Sequence, residues 1–145
     1  SILKYHMTKA DFGIFLENYD KRGSIFRGDY KKKEIFLITE IKKGETRGGH
    51  YHTTIVNHHV LRGKIIYKEI RLTKKGNIKK NYKETKKIIR GGKVITTHPY
   101  AAHLIFALEN SIIFEASGGN KKSITYQPYR DQIKNLRKTS LNKGK

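Results

Sequence analysis

The sequence predicts an all-β fold, a double-sheet jelly-roll barrel, with a short C-terminal helix or tail. Three observations carry this. Short apolar, β-branched and aromatic runs recur from residue 34 to residue 117, and each is stopped by glycine, asparagine or proline. Turn signals at short spacing separate them, which indicates a sandwich or barrel rather than βαβ units. A chain of 145 residues is long enough for one proper core, and small all-β chains hide their sheet edges by closing two sheets face to face.

Taken in order, "EIFLITEI" (34–41) is an apolar, β-branched and aromatic run that stops at Gly44. "HYH" (50–52) continues as a strand, "IVNHHVL" (55–61) stops at Gly63, and "KIIYKEIRL" (64–72) stops in "TKKGN". "KKIIR" then meets Gly91-Gly92, and "KVITTH" meets Pro99. "HLIFALENSIIFEASGG" breaks near Asn110 into two strands and closes at Gly118-Gly119. A helix suits only "YRDQIKNLRK" (129–138). Residues 1–130 read as a single domain and 131–145 as a basic tail.

The formal net charge is +20. It is concentrated outside the apolar runs: residues 74–93 carry nine Lys/Arg against one Glu, and 121–145 carry eight against one Asp. Such runs read first as solvated lysine faces, and second as attraction for a phosphorylated small ligand. A nucleic-acid binder is the weakest class, because Tyr82 is the only aromatic residue within 74–93 to interleave with the cations. There is no cysteine, so disulfides, thiolate metal sites and cysteine nucleophiles are excluded. No apolar run reaches the roughly 20 residues of a membrane span, and the cytoplasm is the default location.

Four of the seven histidines fall within "RGGHYHTTIVNHHVLRG" (47–63). On a strand, His50 and His52 point to one face. His58 and His59 are adjacent, so they point to opposite faces and only one of them can be internal. Periodicity alone does not decide whether the shared face of His50 and His52 is solvent or interior.

Spacing does more. Gly44 followed by five residues and then His50-x-His52 resembles the first signature of the cupin superfamily, with Gly63 near its end. Gly92 to His103 has the glycine-to-histidine spacing of the second signature, with His98, Pro99 and Tyr100 standing at or beside its usual proline and glycine. Where most metal-binding cupins carry a glutamate, this chain has Val56 or Asn57, with His58 and His59 nearby. Within the superfamily, "YDKRGSIF" (19–26) and "TRGGHYH" (46–52) are similar to segments of dTDP-4-keto-6-deoxyhexose 3,5-epimerases and 3,4-ketoisomerases and of the cupin domain of capsular polysaccharide reductases.

The resemblance implies a nucleotide-sugar-modifying enzyme, a ketoisomerase or epimerase acting on a dTDP- or UDP-linked 4-keto sugar in surface-polysaccharide synthesis. His50 and His52 would move the proton beside the carbonyl, with imidazole suited by its ordinary pKa. Tyr100 would serve as the acid. Arg22 and Arg47 would hold the diphosphate, for which the guanidinium fork is apt, and His103 would line the same pocket. The ketoisomerase reading requires no cofactor. If a divalent transition metal (Zn, Ni or Fe) is held, the implied ligands are His50, His52 and His103, with His58 or His59 as the fourth. The remaining classes are a metal-binding cupin of other chemistry, a non-catalytic sugar-binding module, and a polyanion binder. The resemblance also implies a homodimer.

Overall fold

The computed structural model describes residues 4–6, 11–117 and 122–143, with side chains from 11 to 116 and from 122 to 136. Among the described residues, twelve strands form two antiparallel sheets, as expected for a jelly roll. They are β1 (Lys4–His6), β2 (Phe12–Asp20), β3 (Gly23–Tyr30), β4 (Lys33–Ile41), β5 (Thr46–His52), β6 (Val56–Arg62), β7 (Lys64–Arg71), β8 (Thr85–Arg90), β9 (Lys93–Thr97), β10 (Ala101–Ala107), β11 (Ser111–Ser117) and β12 (Ser123–Thr125). One sheet runs β1-β2-β3-β4-β11-β6-β9 and the other β12-β5-β10-β7-β8.

Strand alternation sets the interior. On β4, Leu37, Thr39 and Ile41 face the space between the sheets, and on β11 Ile113 and Glu115 do so. One end of this space is packed solid by Ile41, Val60, Ile65, Tyr67, Ile105, Ala107 and Ile113. The other end stays open and becomes the cavity described below. β10 is apolar on both faces, "AAHLIFA", because both are covered. Its second face, with Ala102 and Leu104, packs with Tyr51, Ile70, Leu72 and Tyr129.

Tyr129 belongs to the helix α1 (Gln127–Lys143). Pro128 is tolerated in the first turn, where backbone N–H groups have no intrahelical partner. Tyr129 and Ile133, four residues apart and so on one helical face, are 1% and 2% exposed. The helix crosses the residue-130 boundary drawn from composition, and its buried face holds it to β5. No helix among the described residues is long and apolar enough to cross a membrane.

Candidate metal centre and its cavity

The site begins with a fault in β5. His103 pairs with His50, but the next residue, Leu104, pairs with Gly48, so the ladder slips by one at Gly49. This is a β-bulge, which leaves an extra residue on one strand and re-aims the side chains beyond it. In a regular strand Arg47 and His50, three apart, would face opposite ways. The bulge turns both into the same cavity, with Ile105, the partner of Arg47, beside them. Gly48 and Gly49 have φ of +107° and +83°, a region that disfavours residues bearing a Cβ. A Cβ on Gly48 would also lie 2.7 Å from the carbonyl oxygen of His103.

Beyond the bulge, three histidines converge. The His50 and His52 rings, and those of His50 and His103, are 4.8 Å apart between centroids. One candidate ligand nitrogen from each of the three lies within 4.8 Å of the others. His52 and His103 are each 1% exposed. The Nδ1 of His52 is 3.2 Å from the carbonyl oxygen of Lys122, and the Nδ1 of His103 is 3.1 Å from that of Ala101. A carbonyl only accepts, so each Nδ1 carries a hydrogen, and Nε2 is the nitrogen that each ring, when neutral, has free to offer as a lone pair. Complete burial, and after it the neighbouring His50 and His58, push the pKa of His103 well below its ordinary value, so this ring is neutral. Carbonyl-anchored neutral imidazoles are the arrangement a metal-ligating histidine adopts.

Of the adjacent pair, His58 is the internal one, 4% exposed, while His59 turns outward against Phe114. A buried chain of hydroxyls orients His58. Tyr67 donates to Glu69 at 2.9 Å, its oxygen lies 2.8 Å from Thr97 Oγ1, and Thr97 Oγ1 lies 3.1 Å from His58 Nδ1. Tyr67 has one hydrogen and gives it to the carboxylate. Thr97 must therefore donate to Tyr67 and accept from His58, which places the hydrogen of His58 on Nδ1. His58 Nε2 then faces Glu115 Oε1 at 3.3 Å, and His52 Nε2 lies 4.0 Å from the same oxygen. Two acceptors at 3.3 Å call for a proton or a cation between them. Glu115 was not foreseen from the sequence. It is the one charged residue of β11, in the inward register beside Ile113 and directly opposite His58 across the β11–β6 ladder, and that register was the signal available.

The cavity has a volume of about 230 Å³. Its lining includes His50, His58, His103, Glu115 and Ser123, together with Arg22, Arg47 and Arg130. Arg22 is forked onto Asp20, with Nη2 2.7 Å and Nε 3.1 Å from its carboxylate oxygens. Arg47 Nη2 is 3.8 Å from the same carboxylate. The Arg22 hydrogen bonds, and more weakly the charge of Arg47, hold the Asp20 carboxyl well below the usual carboxylate range. Thus six of the seven residues expected at the site (Arg22, Arg47, His50, His52, His58 and His103) lie in or around this cavity. Tyr100 is not among the residues lining the cavity. Its φ of +63° at the turn before β10 sends its ring outward to Tyr51, 6.0 Å away.

Two antiparallel sheets enclosing histidines from the strands of both glycine-to-histidine segments define the cupin fold, and this chain has it. No family model and no curated protein matches the sequence. Among solved structures it is similar to the capsular polysaccharide assembling protein CapF from Staphylococcus aureus, at 18% identity and a TM-score of 0.61, over 77% of this chain and 31% of that one. It is similar also to oxalate decarboxylase from Lactobacillus farciminis in its formate complex, at 15% and 0.62, over 80% and 34%. A third likeness is to the cupin domain of Drosophila melanogaster CENP-C, at 14% and 0.58, over 72% and 75%. The chain spans about a third of the length of CapF and of the decarboxylase. At these identities the likeness is one of fold.

Proposed function

We propose that this chain is a small-molecule cupin that moves a proton beside the carbonyl of a nucleotide-linked keto sugar, as a ketoisomerase or epimerase of surface-polysaccharide synthesis does. The observation that carries the reading is one cavity with convergent imidazoles at its floor and guanidinium groups among its lining. Its volume of about 230 Å³ falls below the roughly 300–1,000 Å³ of sites that enclose a drug-sized ligand. A sugar ring suits that space, and the diphosphate would remain at the mouth with Arg22 and Arg47. The fold likeness to a capsular polysaccharide assembling protein agrees with a saccharide substrate.

The donor set fits a divalent transition metal, Zn, Ni or Fe, because neutral imidazoles anchored through Nδ1 are what such ions take. His50, His52 and His103 would hold it, with His58 as the fourth nitrogen. When bound, such an ion supplies Lewis-acid polarisation of a carbonyl. Glu115 would carry the proton, since its carboxylate lies against His58 and lines the cavity, and it takes over the acid role that resemblance gave to Tyr100. A metal-free second reading keeps His50 as the base, favoured by its place in the cavity lining as the least buried of the three clustered histidines.

Two measurements test this. Elemental analysis should find stoichiometric metal that His52→Ala removes; stoichiometric metal surviving the loss of both His50 and His52 would overturn the ligand set. In D₂O, UDP- or dTDP-linked 4-keto sugars should exchange the proton beside the carbonyl, and Glu115→Gln should slow this by about 10²–10⁴, the usual worth of a general acid–base group. Absence of exchange with the intact protein would overturn the enzyme reading. We also propose a cytoplasmic homodimer that joins through the outer face of the larger sheet, where Phe36 packs against Phe12 and Phe114.

A further inference from the structure

Helix α1 sends one side chain back to the cavity. Arg130, in its first turn, lines the cavity with Arg22 and Arg47, and its Nη1 donates to the carbonyl oxygen of Gly48 at 3.1 Å. The stem of Arg130 can lie there only because position 49 has no side chain: a Cβ on Gly49 would stand 2.5 Å from Arg130 Cδ. The second bulge glycine therefore serves two purposes. It permits the backbone slip that turns Arg47 inward, and it opens a passage across β5 for an arginine from another element.

Charge decides what these groups can receive. Arg22 and Arg47 share the single carboxylate of Asp20. Arg130 has no carboxylate within 4.0 Å among the described residues. Two carboxylates stand near these three guanidinium groups, Asp20 on Arg22 and Arg47 and Glu115 turned to His58 and His52, so positive charge still predominates. Guanidinium forks pair well with phosphoryl oxygens, and a diphosphate diester presents such oxygens, with one negative charge on each phosphorus, at two adjacent centres. An uncharged saccharide offers the three arginines no charge to pair with.

We propose that Arg130 makes helix α1 part of the substrate site, acting with Arg22 and Arg47 to select ligands that carry a diphosphate. The inference rests on the nucleotide-linked reading above and adds its specificity determinant. Calorimetric titration with UDP-glucose, which carries the diphosphate but no keto group, tests it at physiological salt. The parent should bind, and Arg130→Gln should weaken binding about 10- to 100-fold, the usual effect of losing a charge-assisted hydrogen bond. Arg130→Lys, which restores the charge without the fork, should recover part of the loss. Gly49→Ala should weaken binding with every arginine retained, and Lys134→Gln, an exposed change on the same helix, should leave it unaltered. If Arg130→Gln binds as tightly as the parent, or if Lys134→Gln costs as much as Arg130→Gln, the inference is wrong while the nucleotide-linked reading stands. If the parent itself does not bind UDP-glucose, the inference is wrong as well, and deuterium exchange decides the broader reading independently.

Discussion

His103 is a basic group held neutral, and that has a signature in acid. In the fold its pKa lies well below the ordinary 6.5, chiefly because the ring is completely buried, whereas in the unfolded chain it titrates normally. Below pH 6.5 the unfolded state therefore binds the extra proton, and stability is lost as pH falls toward the folded pKa. With a chelator present, the thermal midpoint of the parent should drop between pH 7 and pH 5, and His103→Asn should show a shallower dependence over that window. An equal slope in both proteins would mean that other groups govern acid sensitivity. His50, His52 and His103 were legible in the sequence because strand alternation and glycine spacing both constrain them. Glu115 and Arg130 were not, because contacts made across 57 and 82 residues, to His58 and Gly48, leave no mark in local spacing. Tyr100 misled because nearness in sequence to His103 says little across a turn with positive φ.

Among the elements, the bulge in β5 matters most, and glycine chemistry tests it. Gly44 and Gly48 both have positive φ, +85° and +107°. A Cβ at Gly44 would meet nothing within 4 Å, while one at Gly48 would strike the backbone of His103 and Leu104 at 2.7 and 2.9 Å. Gly44→Ala should thus cost only the left-handed backbone term of about 1–2 kcal/mol, and Gly48→Ala clearly more, as measured by urea unfolding. Equal losses would remove the steric case for the bulge. The strands from β4 to β11 were readable because each apolar run ends at a turn residue. β2 and β3 were not read as strands. "FGIFLENYD" and "GSIFRGDY" mix polar and apolar positions without clean alternation, and a slip between Leu16 and Asn18 interrupts their pairing. The bulge itself was invisible, since Gly-Gly within a motif reads equally well as an ordinary turn.

At the scale of the molecule, the all-β class followed from turn spacing alone, and closure into a cupin barrel from the two histidine segments. What covers the outer face of the larger sheet was not readable, because β4 and β11 alternate apolar residues on both sides. Ile38 and Ile112 flank the Phe36–Phe114 pair on that face. Strands apolar on both faces are normally covered on both. Light scattering should therefore find a dimer that Phe36→Glu converts to monomer. Because a net charge of +20 repels a second copy, the parent dimer should tighten as salt is raised. A monomeric parent at high concentration and high salt would exclude the dimer. The order in which the barrel is completed has a consequence for synthesis. β12 pairs along β5, opposite His50, Tyr51 and His52, and it follows every other strand in sequence. Until residues 123–130 have left the ribosome, the strand that carries the first two histidines is a bare sheet edge, open to pairing with another nascent chain. Ser123 and Arg130 close that edge and furnish the cavity at one stroke, so a chain that has acquired its binding site has also lost an open sheet edge.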